Sequence, residues 1–302
     1  MKNKWDVVKN KMDKIKLTIN GYNKIAKHWD GTRRHGWSEV NKYIDINILN
    51  FLKNKNEETY LEKIKKYFSF NNMNGVCSKE LVNILDLGCG NARLIDFLKE
   101  KDYFKNIKYI GIDPSIELIN ICKDRYTSNN KVNILNRNDN VEFKINDGIN
   151  IPLADSSMDM IISLAVLHHV PREHQDEWLS EIHRVIKKDK NSRLILSVWI
   201  QNKEANKKNI EKDNSTGEEN FKKEKINEVE LAKRRSVHKK ISENEMMMGF
   251  AQYENIRYVY LFTEDELTKL LIKNKFRILE KHIDKRPNSE HKNLILILEP
   301  LY

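Results

Sequence analysis

The sequence predicts an α/β fold, a doubly wound and mostly parallel sheet of seven strands whose last pair is antiparallel. Three observations predict it. From residue 81 to residue 200, five short apolar runs alternate with helical segments, the pattern of parallel strands joined by right-handed crossovers. The first run ends on glycines, as a strand does when the chain turns tightly into a helix. Two final apolar runs, 276–283 and 291–300, follow one another with no helix between them, which suits an antiparallel pair.

The elements follow in order. Residues 1–68 read as a helical cap, with apolar positions at Ile44, Ile48, Leu49 and Leu52 and at Leu61, Ile64, Tyr67 and Phe68, spaced by three and four. Residues 69–80 are a polar, glycine-containing connection. LVNILDLG (81–88) is the first strand and NARLIDFLKE (91–100) the first crossover helix. IKYIGID (107–113) is the second strand, and PSIELINICKDRY (114–126) a helix that opens on proline. NVEFKIND (140–147) and MDMIISLAVL (158–167) are the third and fourth strands, EHQDEWLSEIHRVIKK (173–188) a helix and SRLILSVWI (192–200) the fifth strand. Residues 201–250 carry dense mixed charge and few aromatics and read as a disordered insertion. The core resumes over 251–302, where Thr263 can cap a helix with Glu266 as its box partner. The division is therefore a cap (1–68), a core (69–200), an insertion (201–250) and a returning core segment (251–302).

Composition narrows the function. Of 302 residues, 39% are hydrophobic and 32% charged, and the net charge is +10. Residues 1–80 hold 17 Lys and Arg against 9 Asp and Glu, or +8, so the basic character lies mostly in the cap and favours an acidic partner. Three cysteines, Cys77, Cys89 and Cys122, have no metal-ligand spacing and suggest a reducing compartment without disulfides. Neither a signal peptide nor a membrane-spanning run is expected.

The site begins at DLGCGNARL (86–94). Gly88 and Gly90, with Cys89 between them, let backbone N–H groups approach a ligand at a helix start. The dinucleotide pattern GxGxxG/A fails, because its third glycine position is Arg93. Asp86 precedes the glycines, Asp113 ends the second strand and can accept from a ribose diol, and Asp147–Gly148 closes the third. Acids at three successive strand ends describe a nucleoside-shaped pocket, and their order points to S-adenosylmethionine. The fourth strand contributes Ser163 and ends on the pair His168–His169, which offers a general base, a hydrogen bond to an anionic acceptor, or simple packing. A (D/N)PP(Y/F/W) motif and an attacking cysteine are both absent there. That excludes methylation of exocyclic amines and of pyrimidine carbon.

YNKIAKHWDGTRRHGW (22–37) resembles the N-terminal signature of the eukaryotic tRNA methyltransferases that esterify 5-carboxymethyluridine at the wobble position. Their pattern is matched at Tyr22, Asn23, Ile25, Ala26, His28, Trp29, Thr32, Arg33 and Trp37. Three further blocks agree: Ile162 to His169; Val198, Trp199 and Gln201, loosely; and Arg257, Tyr258, Leu261, Phe262, Glu264, Glu266 and Leu267. The family's Arg pair after His-His is missing, so either Arg172 or His174 stands in or the role is lost, and its V-P-W turn is absent.

The resemblance implies a Rossmann-like class I methyltransferase. Its cofactor would be S-adenosylmethionine, held by Asp86, Gly88, Cys89, Gly90, Asp113, Asp147, Gly148 and Ser163. Arg33, His168, His169 and Arg172 would serve catalysis, with Tyr22, His28, Trp37 and Arg257 on the substrate side. The implied partners are a tRNA anticodon loop and a small zinc-containing activator subunit that adds a strand to one sheet edge. The expected place is the cytoplasm, with the nucleus as an additional one. Two other readings stand beside this one: a small-molecule carboxyl or oxygen methyltransferase, and a catalytically silent scaffold of the same fold.

Overall fold

A computed structural model describes residues 13–33, 40–54, 81–127, 140–201, 239–250, 253–284 and 291–302. Its centre is a seven-stranded sheet formed by β1 (Val82–Leu87), β2 (Ile107–Asp113), β3 (Val141–Ile145), β4 (Met160–Leu164), β5 (Arg193–Gln201), β9 (Phe276–Asp284) and β10 (His291–Pro300). The order across it is β3-β2-β1-β4-β5-β10-β9. Only β10 runs against its neighbours; the other ladders are parallel. The order in which the strands are connected reverses between β1 and β4, which puts the crevice at their carboxyl ends.

Helices cover both faces because the strands alternate with period two. On one face, Leu85, Ile161, Leu196 and Leu296 pack under α5 (Gln175–Val185) and α6 (Glu264–Lys273). On the other, Ile84, Ile162, Ile195 and Ile295 meet α2 (residues 40–54), α3 (Arg93–Lys99) and α4 (Ile116–Tyr126). The α6 cap is Thr263, whose hydroxyl accepts the Glu266 N–H at 3.3 Å. Glu266 accepts from Tyr260 and pairs with Arg172, so its carboxylate is engaged away from the cap. Pro114 lies before the start of α4; the cap is Ser115, which accepts the Leu118 N–H.

One expectation about the insertion is corrected. Residues 202–238 lie outside the described residues, but 239–250 are ordered. β6 (Lys239–Lys240), β7 (Glu245–Phe250) and β8 (Tyr253–Tyr260) form a separate antiparallel sheet. Met247 and Met248 are buried in it, and Glu245 accepts from both Lys14 and the Tyr258 hydroxyl. The three methionines supply an apolar run that the surrounding charge obscures.

α1 (Lys14–Thr32) is the part of the cap that meets the site. Asp13 caps it by accepting the Ile15 and Lys16 N–H groups. Its small and apolar face has Gly21, Ile25 and Ala26 buried, and the helix is pinned to β8 and α4. The Thr18 hydroxyl accepts the Tyr258 N–H, Asn23 accepts the Ser115 hydroxyl, and Asp30 takes both oxygens to Arg125 at 2.5 and 2.6 Å. Among the described residues no helix is long and apolar enough to cross a membrane.

Candidate functional site

α1 roofs a cavity of about 1010 Å³ above the carboxyl ends of the sheet. Asp86, Gly88, Cys89, Gly90 and Asp113 line one half, and Tyr22, Arg33, His168, His169 and Arg257 line the other.

The first half is built by the turn after β1. Gly88 has φ +77° and Gly90 φ +57°, a region that side chains disfavour. A Cβ on Gly88 would stand 2.3 Å from the Val166 side chain. The Gly88 and Cys89 N–H groups bond to the Ile112 carbonyl at 2.7 and 3.1 Å, tying the turn to the end of β2. Asp113 accepts the Gly90 N–H at 2.9 Å and the Ser115 N–H at 2.8 Å. A carboxylate offers about four acceptor positions, so this fixed group keeps capacity for a diol. Asp86 accepts the Tyr109 hydroxyl at 2.5 Å. Cys89 and Cys122 are free and buried, and burial pushes the Cys89 thiol well up. It is a packing group, not a nucleophile.

Burial raises both acids. Asp86 reaches about 7, with the Tyr109 hydrogen bond opposing the rise and Asp113 adding to it. Asp113 reaches about 6, against the two backbone N–H groups that favour its charge. The folded pKa values lie above unfolded ones near 4, so the folded protein holds these protons more tightly. This contribution, on the order of a few kcal/mol, is complete below about pH 4 and is lost as pH rises through 6 to 7. The ligand-free chain should therefore melt at lower temperature at pH 8 than at pH 5 in this respect. Asp86→Asn, which cannot titrate, should flatten that fall. Parallel melting profiles for the variant and the unaltered chain would remove Asp86 as the source.

The second half is a polar and aromatic wall. The Tyr258 carbonyl can only accept, so at 2.8 Å it takes the His169 Nδ1–H. His169 Nε2 then accepts the Tyr22 hydroxyl at 3.0 Å, and that oxygen accepts from Arg257 Nη1 at 3.4 Å. Burial, with the Arg257 charge second, pulls His169 down to about 3. It is a neutral positioning residue and a poor general base. His168 is fully buried, stacks on Trp199 at 4.4 Å and accepts the Trp199 backbone N–H. Both histidines sit on a 3-10 turn, Leu167–His169, not on the strand itself, because Ala165 with φ +60° ends β4 first. The Arg33 guanidinium lies 3.6 Å over the Trp29 ring, and that of Arg257 5.4 Å from the Trp199 ring. Burial first, then Arg257, lowers the Arg33 pKa. The two cations thus repel each other across one cavity.

Other expected residues lie elsewhere. Asp147 is exposed, and its carboxylate closes a turn onto the Ile149 and Asn150 N–H groups. Gly148 faces Ile15 of α1. Neither borders the cavity. The Ser163 hydroxyl donates to the Leu87 carbonyl and ties β4 to β1. Arg172 pairs with Glu266 at 3.5 Å on a different surface, and His174 pairs with Glu177. His28 is on the exposed side of α1, and Trp37 lies outside the described residues. Sequence reasoning passed over Asn91, which joins Asp30 and the Arg33 carbonyl at 3.0 Å each. It also passed over Asn293 and Asp284, which border the cavity. The position of Asn91 directly after Gly90 was a usable signal; the other two depend on strand register. Among the described residues no group of His, Cys, Asp and Glu could hold a metal ion.

Residues 84–189 match the family model of a methyltransferase domain. The chain is 25% identical over 184 residues to the tRNA (carboxymethyluridine(34)-5-O)-methyltransferase of Mus musculus, covering 61% of this chain and 20% of that protein. It is 31% identical over 122 residues to the enzyme of the same description from Arabidopsis thaliana, covering 40% of this chain and 25% of that protein. It spans about a quarter or less of those two relatives. The Schizosaccharomyces pombe enzyme of this description is 23% identical, with 87% of this chain and 90% of that protein covered. Among solved structures, a methyltransferase from Methanosarcina mazei superposes with TM-score 0.52 at 21% identity, covering 74% of this chain and 94% of that one. The magnesium protoporphyrin IX methyltransferase of Synechocystis gives TM-score 0.51 at 15% identity, covering 95% of this chain and 99% of that one. These two likenesses establish the class I methyltransferase fold.

Proposed function

With a methyltransferase domain at residues 84–189, we propose that the chain is an S-adenosylmethionine-dependent tRNA methyltransferase. Its acceptor is the carboxylate of 5-carboxymethyluridine at the anticodon wobble position, and its product the methyl ester. The observation that carries the choice of acceptor is the pair of guanidiniums, Arg33 and Arg257, that share the cavity wall while each rests by a Trp ring. An anion between them relieves their mutual repulsion, and each fork matches a carboxylate.

The cofactor half fits the group it is assigned. The glycine turn keeps side chains off the floor, and Asp113 is held rigidly where a ribose diol can donate to it. Burial favours the neutral form of Asp86, and a cationic ligand beside it would favour the charged one. S-adenosylmethionine supplies an electrophilic methyl group when bound. The chain's own work is then orientation. A carboxylate with a pKa near 4 is already ionised at pH 7, so no base is needed, and neutral His169 is consistent with that. Arg33 and Arg257 hold the acceptor, and Tyr22, fixed by His169, limits the angle at which it enters. α1 over the cavity excludes water.

The basic cap supports an RNA substrate, as does the resemblance to the tRNA methyltransferases. That resemblance also suggests a small zinc-containing activator subunit that adds a strand to a sheet edge; β3 is such an edge, with Ile145 exposed. The reading places the enzyme in the cytoplasm. It is tested by salt. Affinity for tRNA should fall by about 0.7–0.9 log units per log unit of salt for each phosphate contact. A salt-independent KM for tRNA, together with turnover of a small free acid, would replace the RNA by a small-molecule substrate.

A further inference from the structure

We infer that Asn293 and Asp284, set beside Trp199, form a row that reads the imide edge of a pyrimidine. This rests on the reading above and names how the base, not its carboxylate, is recognised. The row is a product of register. Asn293 on β10 pairs with Trp199 on β5 and with Asp284 on β9. Residues opposite one another in a ladder point to the same face, and all three border the cavity.

The position is on the acceptor side. The glycine turn stands over β1, while β10 and β9 are three and four strands further along. At about 4.8 Å per strand, the row lies roughly 14 to 19 Å from the turn. Arg33 and Arg257 line the same cavity. A volume of about 1010 Å³ has room for more than the cofactor.

The chemistry is specific. Asn293 is 8% exposed, whereas Ile295 and Ile297, the next residues on its face, are buried and apolar. A polar side chain in that row carries a desolvation cost that a purely structural position would avoid. Its amide donates to the Asp284 carboxylate at 3.4 Å, which orients both groups. Together they present a carboxylate acceptor beside the one amide N–H that Asn293 has left. The uracil edge presents an N3–H donor beside carbonyl acceptors, and so complements the row. Cytosine would set a lone pair at N3 against the Asp284 carboxylate. Trp199, held by His168 stacked on it at 4.4 Å, fixes the wall where the base edge arrives.

The test uses the full chain, with the activator subunit if turnover requires it, and two anticodon stem-loop RNAs. Both carry wobble 5-carboxymethyluridine; in one, N3 is methylated and its donor is gone. The unaltered chain should methylate the N3–H RNA at least about tenfold faster in kcat/KM. Asp284→Ala should slow the N3–H RNA and bring the ratio close to one, while S-adenosylhomocysteine binding by calorimetry stays intact. Asn293→Asp, which keeps the shape and removes the amide donor to the base carbonyl, should lower kcat/KM for both RNAs, and unchanged values would remove Asn293 from the row. A ratio near one in the unaltered chain, or one that persists in Asp284→Ala, overturns the row, even while the ester still forms. Absence of methyl transfer to either RNA by the unaltered chain instead overturns the function on which the row rests. A variant that loses cofactor binding as well shows a structural role and counts against the assignment.

Discussion

Arg33→Ala should cut methyl transfer to tRNA by roughly 30- to 150-fold while leaving S-adenosylhomocysteine affinity near that of the unaltered chain. The magnitude is that of one charge-assisted, forked contact, about 2–3 kcal/mol. The separation follows from geometry. The Arg33 carbonyl, which alanine keeps, accepts from Asn91 beside the glycine turn, while the guanidinium that alanine removes rests 3.6 Å over Trp29. Arg33→Lys should recover only part, since a point charge does not reproduce the fork. The readout that decides is kcat at saturating tRNA. If Arg33 only touches a phosphate, saturation restores kcat and the deficit sits in KM. A normal kcat in Arg33→Ala would therefore remove the residue from the acceptor clamp.

The second large effect belongs to Gly88. Gly88→Ala puts a Cβ 2.3 Å from a Val166 methyl at φ +77°. The left-handed backbone alone costs about 1–2 kcal/mol, and the contact forces either the turn after β1 or the turn that carries His168 and His169 to move. Cofactor binding should be lost, and the melting temperature should fall. Gly88→Ala with Val166→Ala removes the two methyls, leaves a 3.2 Å contact to the Val166 Cβ, and should restore binding in part. Full binding by Gly88→Ala alone would show that the turn is pliable and that its fit to the cofactor is not set by backbone shape.

Much of the fold was legible because it is written locally. Short apolar runs, a glycine turn and two unbridged final strands are features of adjacent residues, and the seven-stranded sheet with β10 reversed follows from them. The sequence did not show which polar groups the fold engages elsewhere, whether through neighbours or through distant residues. Asp147 has the composition of a pocket acid, yet its carboxylate is consumed by the Ile149 and Asn150 N–H groups three residues or fewer away. Ser163 faces a neighbouring strand, and Arg172 is drawn to Glu266, a residue that returns only through α6. The strand β7 was hidden because charge density was weighed above the run Met246–Met248 inside it. Asn293 and Asp284 carry no motif; only the register of β5, β10 and β9 brings them beside Trp199. The segment 22–37 illustrates both outcomes. Tyr22 and Arg33 reach the cavity, while His28 from the same helix faces outward.

The central claim is that the methyl group goes to a carboxylate of a wobble uridine. The direct measurement is mass spectrometry of nucleosides from tRNA bearing wobble 5-carboxymethyluridine, after incubation with the chain and S-adenosylmethionine, with and without the activator subunit. Mild alkali is then applied to half of each sample. The account predicts one added methyl on 5-carboxymethyluridine, and its complete release by alkali as expected for an ester. A methyl group that survives alkali, or that appears on any other nucleoside, would contradict it.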